Sequence, residues 1–467
     1  MGEVVREELP VVVIGAGPVG LAAAAHLLER GVEPLVLEAG ERVGAAVASW
    51  GHVRLFSPWR YDLDGAARRL LEPTGWVVPD LEALPTGAEL VTDYLAPLAA
   101  TPQIASRLRT GTRVLAVARD GADKTRTLGR ERRGYRVRTL TADGRVQDVL
   151  ARAVIDASGT YATSNPLGAS GLPAVGERDA AAYVTGPLPD VLGADRERFA
   201  GRHTLVVGMG HSAANTLLSL VELSESAPGT TITWAIRGGS ARRLFGGGTD
   251  DELPARGLLG SRLKDAVESG RLTLVKWVSI EQLVPAGETV RVLGRSREDA
   301  LDLHVHAVVN ATGFRPDLDM LREVRLALDP VVESAARLAE LIDPNFHSCG
   351  TVPPHGEALL SHPDDGFYLV GMKSYGRAPT FLLATGYEQV RSIAAALAGD
   401  RAAADAVELD LPETGVCSTD LAGDGEGGAC CGSAAEPQLV TLGVGAPLGI
   451  GFATGVVHGR SSDETSA

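Results

Sequence analysis

At 467 residues the chain has room for about three domains or one large composite, and its 45% hydrophobic and 22% charged content is that of an ordinary globular protein. A formal net charge of −15 sets nucleic acid aside as a partner. Four cysteines (Cys349, Cys417, Cys430 and Cys431) are too few and too C-terminal for a secreted disulfide framework, and the scarcity of lysine, four among 44 basic residues, reads as genome composition.

The first apolar stretch, Leu9 to Leu28, has the composition of a signal or spanning segment. Acidic Glu3, Glu7 and Glu8 precede it where a signal needs positive charge, and a glycine turn accounts for its make-up. The apolar run Val11 to Ile14 predicts a strand, and Gly15-Ala-Gly17-Pro18-Val-Gly20 a tight turn. Pro18 to Arg30 then predicts a helix closed by Gly31. Glycines let a backbone approach phosphates, and the free N–H groups and dipole of a helix start bind the anion. Pro34 to Leu37 predicts a second strand, ending in Glu38, 18 residues beyond Gly20, where a carboxylate can accept hydrogen bonds from ribose hydroxyls. Three strand-like runs follow, Thr112 to Val117, Tyr135 to Leu140 and Val146 to Ile155, with Asp143-Gly144 as a hairpin turn between the last two. The third run ends in Asp156-Ala-Ser158-Gly159-Thr160.

The turn recurs 193 positions later as Gly208-Met-Gly210-His211-Ser212-Ala, again after an apolar run, Leu205 to Val207. Its downstream partner differs, because the strand Thr231 to Ile236 ends in Arg237, with Arg242 and Arg243 beyond. A cation where the acid would sit suits a 2′-phosphate and favours NADPH over NADH. His304 and His306 alternate along one predicted strand and so share a face, and His347-Ser-Cys349 is a candidate contributor to a metal site. The run His306 to Val309 ends in Asn310-Ala-Thr312-Gly313, so each region passes from a phosphate turn to an Ala-Ser/Thr-Gly strand end, an internal duplication. Gly366 to Met372 and a helix over Pro379 to Leu397 then complete the first domain. The expected fold is α/β with two Rossmann-like dinucleotide-binding domains, the second inserted into the first. Expected bounds are 1–165 and 316–400 for the first domain, 166–315 for the insertion and 401–467 for a tail. Residues 412–436 of that tail are loop-like and hold three of the cysteines. Leu439 to Val457, nineteen uncharged residues with five glycines and a proline, makes a poor membrane helix and reads as a covering or interaction segment.

Together these residues resemble the two-dinucleotide-binding flavoproteins, and within them the flavin-containing monooxygenases, over roughly residues 8–400. The motifs that carry the resemblance are Val13 to Gly20 with Glu38, Glu41-Arg-Val-Gly44 running to Ser49-Trp50, Asp156 to Gly159, Gly208 to Asn215, and Ala311 to Pro316. The resemblance implies FAD along the N-terminal domain, NADPH on the inserted one, and oxygenation of a small molecule by molecular oxygen through a flavin hydroperoxide. The cofactor-binding set it implies is Gly15, Gly17, Pro18, Gly20, Glu38, Ala39, Arg42, Trp50, Val114, Ser158, Gly159, Gly208, Gly210, His211, Ser212, Asn215, Arg237, Thr312, Gly313 and Gly371. Flavin-pocket candidates are Arg54, Ser57, Trp59, Tyr61, Lys373, Tyr375 and Arg377, and Arg54, Ser57 and Tyr375 are the catalytic ones. Arg54 either stabilises negative charge beside the flavin or forms an ordinary salt bridge. Two features depart from the family: Tyr183 to Asp190 stands where its Phe-x-Gly-x-x-x-His signature lies, and Leu55-Phe-Ser-Pro58 replaces an asparagine near the flavin. The segments Trp50 to Pro58, Gly371 to Pro379 and Gly415 to Ser418 resemble a bacterial branch found with arsenic-resistance genes.

The expected function is therefore an NADPH- and FAD-dependent monooxygenase of a soft heteroatom, with trivalent arsenic as a candidate. A soft nucleophile attacks the distal oxygen without a protein base, which agrees with the lack of any catalytic triad. Two alternatives stay open: a flavin reductase or oxidase passing electrons to a metalloid or partner, and a non-catalytic metalloid-binding protein. Cys417, Cys430 and Cys431 either capture a soft metalloid through thiolates or are inert thiols. No cysteine precedes Cys349, which argues against disulfide-reductase chemistry beside the flavin. The expected setting is cytoplasmic, without nucleic-acid or membrane partners, and compatible with a homodimer.

Overall fold

The computed structural model describes residues 8–245, 254–297, 299–343, 352–378 and 381–409. The first strand, β1 (Val11–Ile14), is apolar and wholly buried, as suits β-branched residues in a parallel sheet covered on both faces. The turn after it opens the helix Pro18–Glu29, whose Ala22, Ala23, Ala24 and Ala25 have no exposure. Small side chains on that face admit close packing against the helix Leu383–Leu397, where a Cβ on Gly386 would lie 2.6 Å from Val19 Cγ2. Strands β2 (Pro34–Leu37) and β3 (Leu108–Arg109) extend the sheet. An antiparallel meander follows, β4 (Thr112–Arg119), β5 (Tyr135–Thr141) and β6 (Val146–Ala151), before β7 (Ala153–Asp156) returns beside β1.

The plan then repeats. After β8 (Val184–Thr185) come β9 (His203–Val207), the helix His211–Ser226, β10 (Thr231–Ala235), the helix Pro254–Glu268 and β11 (Thr273–Val275). A second meander, β12 (Val278–Ala286), β13 (Thr289–Ser296) and β14 (Asp299–Val305), leads to β15 (Ala307–Asn310). The last strand, β16 (Phe367–Leu369), joins the first sheet beside β7. The two parallel sheets have orders β16-β7-β1-β2-β3 and β8-β15-β9-β10-β11, which correspond strand for strand. Each meander carries its bulge two residues after its start, between Val114 and Ala116 and between Ile280 and Gln282. The fold is thus α/β with two Rossmann-like parallel sheets, and no helix among the described residues is long and apolar enough to cross a membrane.

Three local expectations change. The run Val146 to Ile155 is two strands, because Arg152 donates its N–H to Pro10 O (3.0 Å) and hands the chain from an exposed meander edge to the buried main sheet. His304 is the penultimate residue of β14 while His306 lies in the bend before β15, so the two do not share one strand face. The helix expected over Pro379 to Leu397 starts at Leu383, four residues later than Pro379.

Candidate functional site

The two glycine turns are built alike, one side chain at a time. Gly15 (φ +96°) and Gly208 (φ +138°) adopt backbone angles that other residues avoid. A Cβ on Gly15 would sit 2.8 Å from Ala157 O, and one on Gly208 2.5 Å from the carbonyl carbon of Ala311. Gly20 faces the backbone of Gly15 (3.0 Å from its carbonyl carbon) and allows close helix packing, a place the second turn fills with buried Ala213. Gly17 and Gly210 differ: nothing lies within 4 Å of a Cβ built on either, so glycine there leaves open space. Each is the N-cap of its helix with no side-chain cap, Pro18 following the first, and the first helical donors are Leu21 and Ala214. The N–H groups ahead of those donors have no intrahelical acceptor. Room at the second glycine over an uncapped helix start fits a pyrophosphate in both units.

Around the first turn, Glu38 accepts the N–H of Ala16 and of Gly40, each at 2.7 Å, which fixes the carboxylate at the end of β2. Ala39 and Arg42 are exposed, and Trp50 rests on Gly87, where a Cβ would come 2.8 Å from its ring. Val114 is half-buried at the meander bulge. Gly371 (φ +64°) donates its N–H to Gln389 Oε1 at 2.8 Å.

The ends of β7 and β15 match atom for atom on one side. Asp156 Oδ1 accepts from Ser158 N–H (3.1 Å) and its hydroxyl (2.6 Å), and Asn310 Oδ1 from Thr312 N–H (3.2 Å) and its hydroxyl (2.7 Å). Gly159 (φ +69°) and Gly313 (φ +94°) both follow in the left-handed region. The other sides diverge. Asp156 Oδ2 pairs with Lys373 Nζ at 2.7 Å, both side chains having no exposure, and Lys373 also reaches Ser158 Oγ at 3.0 Å. Asn310 instead donates to Asn165 O at 2.9 Å. Asn165 also receives the Thr312 hydroxyl on the same oxygen, which ties the chain entering the second unit to the chain leaving it. An Asn165-Pro166 dipeptide was the available signal for that turn.

A cleft at the second turn is lined by Val207, Gly208, Met209, Ile236, Arg237, Gly238, Val278, Ile280 and Thr312. Arg237 is exposed there and, among the described residues, makes no ion pair. Ser212 is half-buried in the first helical turn, and Asn215 donates its amide to His211 O at 3.1 Å, bracing that turn. His211 meets Phe56 from the first unit, their ring centroids 5.2 Å apart, so the segment after the first turn faces the second.

The three catalytic candidates are not joined by any hydrogen bond among the described residues. Arg54 is 58% exposed, donates to Leu84 O and lies 3.8 Å from Glu89, a surface setting. Ser57 is buried and donates to Asp62 Oδ1 at 2.8 Å. Burial pushes Asp62 up to about 7, and its Oδ2 is buried without a hydrogen-bond partner. Asp62 carried no motif that would have marked it. Tyr375 is buried between His355 (5.7 Å) and Phe381 (5.2 Å), and that burial pushes its hydroxyl above the ordinary tyrosine range. His203 N–H donates to His306 Nδ1 at 3.2 Å near His304, but no group of three metal-ligating residues occurs among the described residues. Cys349, Cys417, Cys430, Cys431, His347, the side chain of Arg243 and the run Leu439 to Val457 lie outside the described residues.

Residues 12–335 match the family model of the pyridine nucleotide-disulphide oxidoreductases. Among solved structures, the chain is similar to the bacillithiol disulfide reductase of Bacillus cereus (TM-score 0.62, 19% identity, 84% of this chain and 99% of that one). It is also similar to the ornithine N-hydroxylase of Kutzneria sp. 744, determined with reduced FAD, NADP+ and L-ornithine (TM-score 0.56, 18% identity, 84% and 99%). A flavin monooxygenase from Stenotrophomonas maltophilia matches at 24% identity (TM-score 0.51, 84% and 98%). Reductases and oxygenases thus share this fold, and the match to the family model spans more than half of the chain. The protein belongs to the pyridine nucleotide-disulphide oxidoreductase family.

Proposed function

We propose that the protein is an NADPH- and FAD-dependent monooxygenase acting on a small, soft heteroatom, sulfur or trivalent arsenic. The observation that carries the reading is a pair of open, uncapped glycine turns whose units meet where Phe56 touches His211. Gly15, Gly17, Gly20, Glu38 and Ser158 would hold FAD, and Gly208, Gly210, His211 and Arg237 would hold NADPH. When bound, FAD supplies the redox chemistry, accepting hydride and reducing oxygen. The chain's own contribution is binding, orientation and exclusion of water. Lys373 brings a buried positive charge to within 3.0 Å of Ser158 Oγ at the flavin-side strand end, balanced by Asp156. The Tyr375 hydroxyl is a donor at neutral pH like any tyrosine, and burial moves its ionisation further from that range. The family's name implies a redox disulfide, but no cysteine occurs within the matched residues, since the first is Cys349. That absence favours oxygenation over disulfide reduction.

The test is rapid mixing of NADPH-reduced, FAD-loaded protein with oxygenated buffer, followed by absorbance. A transient between the reduced and oxidised spectra, shortened by arsenite or a thioether and yielding the oxygenated product, is the expected result. Direct return to the oxidised spectrum with peroxide release, unaffected by either compound, would replace this reading with a reductase or oxidase.

A further inference from the structure

Trp277 has φ +58°, a conformation that bulky aromatic residues rarely adopt, and Arg297, also at φ +58°, stacks its guanidinium 5.0 Å above the indole. The two are tied by the Arg297 N–H donating to Trp277 O at 3.3 Å. Backbone strain of this kind persists only where the surroundings over-determine it, and an observed outlier is a reason to ask what it positions. Here it positions the loop after β10. Trp277 N–H donates to Gly238 O at 3.2 Å and Val278 N–H to Ile236 O at 2.9 Å, bracketing Arg237. The indole packs against the next residue, since a Cβ on Gly239 would come 2.6 Å from Trp277 Cε2. Arg237 and Gly238 form one wall of the cleft at the second glycine turn, with Val278 beside them. Trp277, 38% exposed, is not among the residues that line the cleft, so it supports this wall without facing the ligand space.

We infer that Trp277, stacked under Arg297, is a positioning residue that presses the Arg237-Gly238-Gly239 loop toward the cleft. It thereby sets the preference for a nucleotide bearing a 2′-phosphate. The inference rests on the reading of this cleft as the NADPH site. Removing the indole leaves an unfilled space behind Gly239, into which the loop can relax and carry the guanidinium away from the phosphate.

The test uses the full-length, FAD-loaded protein and compares Trp277→Ala, Trp277→Phe, Gly239→Ala and Arg237→Ala in steady-state flavin reduction by NADPH and by NADH. Trp277→Ala is expected to lower the NADPH/NADH ratio of kcat/KM about tenfold, the order of one charge-assisted hydrogen bond. The loss should fall on the KM for NADPH, with kcat retained. Trp277→Phe should restore most of the ratio by refilling the space, and Gly239→Ala should also lower the ratio, by forcing the loop off the indole in a chain that keeps it. Binding of 2′,5′-ADP, but not of 5′-AMP, should quench a tryptophan signal that Trp277→Phe lacks. An unchanged ratio in Trp277→Ala and Gly239→Ala, with a lowered ratio in Arg237→Ala, would overturn the inference while keeping the site. An unchanged ratio in Arg237→Ala would instead overturn the reading of the cleft as a 2′-phosphate site.

Discussion

The two nucleotide units share strand order and bulge position yet bury different chemistry. Among the described residues from 166 to 315, the buried polar side chains are threonines, Thr204, Thr216 and Thr233. The first unit buries Asp62, Asp64, Asp156, Asp364, Arg119, Arg130 and Lys373. The contrast is sharpest at the matched strand ends. Both need one acceptor facing the N–H and hydroxyl of the residue two positions on, and Asp156 and Asn310 supply it equally well. A carboxylate adds a charge that the backbone geometry does not require, and that charge needs a counter-ion in the interior. Lys373 supplies it from beyond the second unit, whereas Asn310 is satisfied by Asn165 at that unit's own entrance. The second unit therefore closes on itself, and the first closes only with the returning segment.

The strongest way to break this contrast is to remove the counter-ion. Lys373→Met should destabilise the FAD-loaded protein by about 3–5 kcal/mol, because it leaves Asp156 as an uncompensated buried charge. Adding Asp156→Asn should return most of that loss, since the first strand end then has the neutral chemistry of Asn310. Urea unfolding followed by far-ultraviolet circular dichroism measures both. A double variant no more stable than the single one would show that the charge is required for something other than its partner.

The next largest effect is the pH dependence that Asp62 gives the first unit. Burial holds the Asp62 carboxyl at about 7, far above its usual range, with the Ser57 hydroxyl opposing. Between about pH 4 and pH 7 the folded chain keeps a proton that the unfolded chain has released, so stability falls as pH rises, by up to about 4 kcal/mol. Burial lowers the buried histidines His355 and His362, the latter to about 4, and these act in the opposite direction over the same window. The informative quantity is thus the difference between the parent chain and Asp62→Asn. That difference should favour the variant increasingly from pH 4 to pH 7 and level off above. A difference curve flat across that window would mean that Asp62 is ionised in the fold.

Which parts of this were legible in the residues follows from how local each is. The glycine turns, Glu38 at its strand end and the repeated Ala-Ser/Thr-Gly endings are set by neighbours within a few positions, and the duplication could be read from them. Arg152 is the counter-example: apolar spacing runs through it without a break, and only pairing with Pro10 shows that one run serves two sheets. The Lys373–Asp156 pair joins residues 217 positions apart, and a charge pair at that separation leaves no periodic trace. Asp62 and Trp277 are harder still, since what marks them is an unpaired oxygen and a positive φ, neither of which has a spelling in sequence. For Arg54 the sequence leaves charge stabilisation and an ordinary salt bridge both open, and only the fold shows that its neighbour is Glu89, 35 positions on and 3.8 Å away.

The smallest effect separates the two turns by ligand. A methyl at Gly17 or Gly210 meets no protein atom within 4 Å, so neither Gly17→Ala nor Gly210→Ala should disturb the fold. Each methyl would instead occupy the space through which a backbone approaches a pyrophosphate, weakening that ligand about tenfold, or roughly 1.4 kcal/mol. Gly17→Ala should lose FAD on gel filtration while an isotherm for 2′,5′-ADP is unchanged. Gly210→Ala should stay yellow while that isotherm weakens. Gly15→Ala and Gly208→Ala are the structural counterparts, because their methyls collide with Ala157 and Ala311 and both backbones have positive φ. Those two should lower thermal stability whether or not ligand is present. If Gly17→Ala and Gly210→Ala weakened the same ligand, the two turns would form one site, and their correspondence in geometry would no longer imply a separate dinucleotide for each.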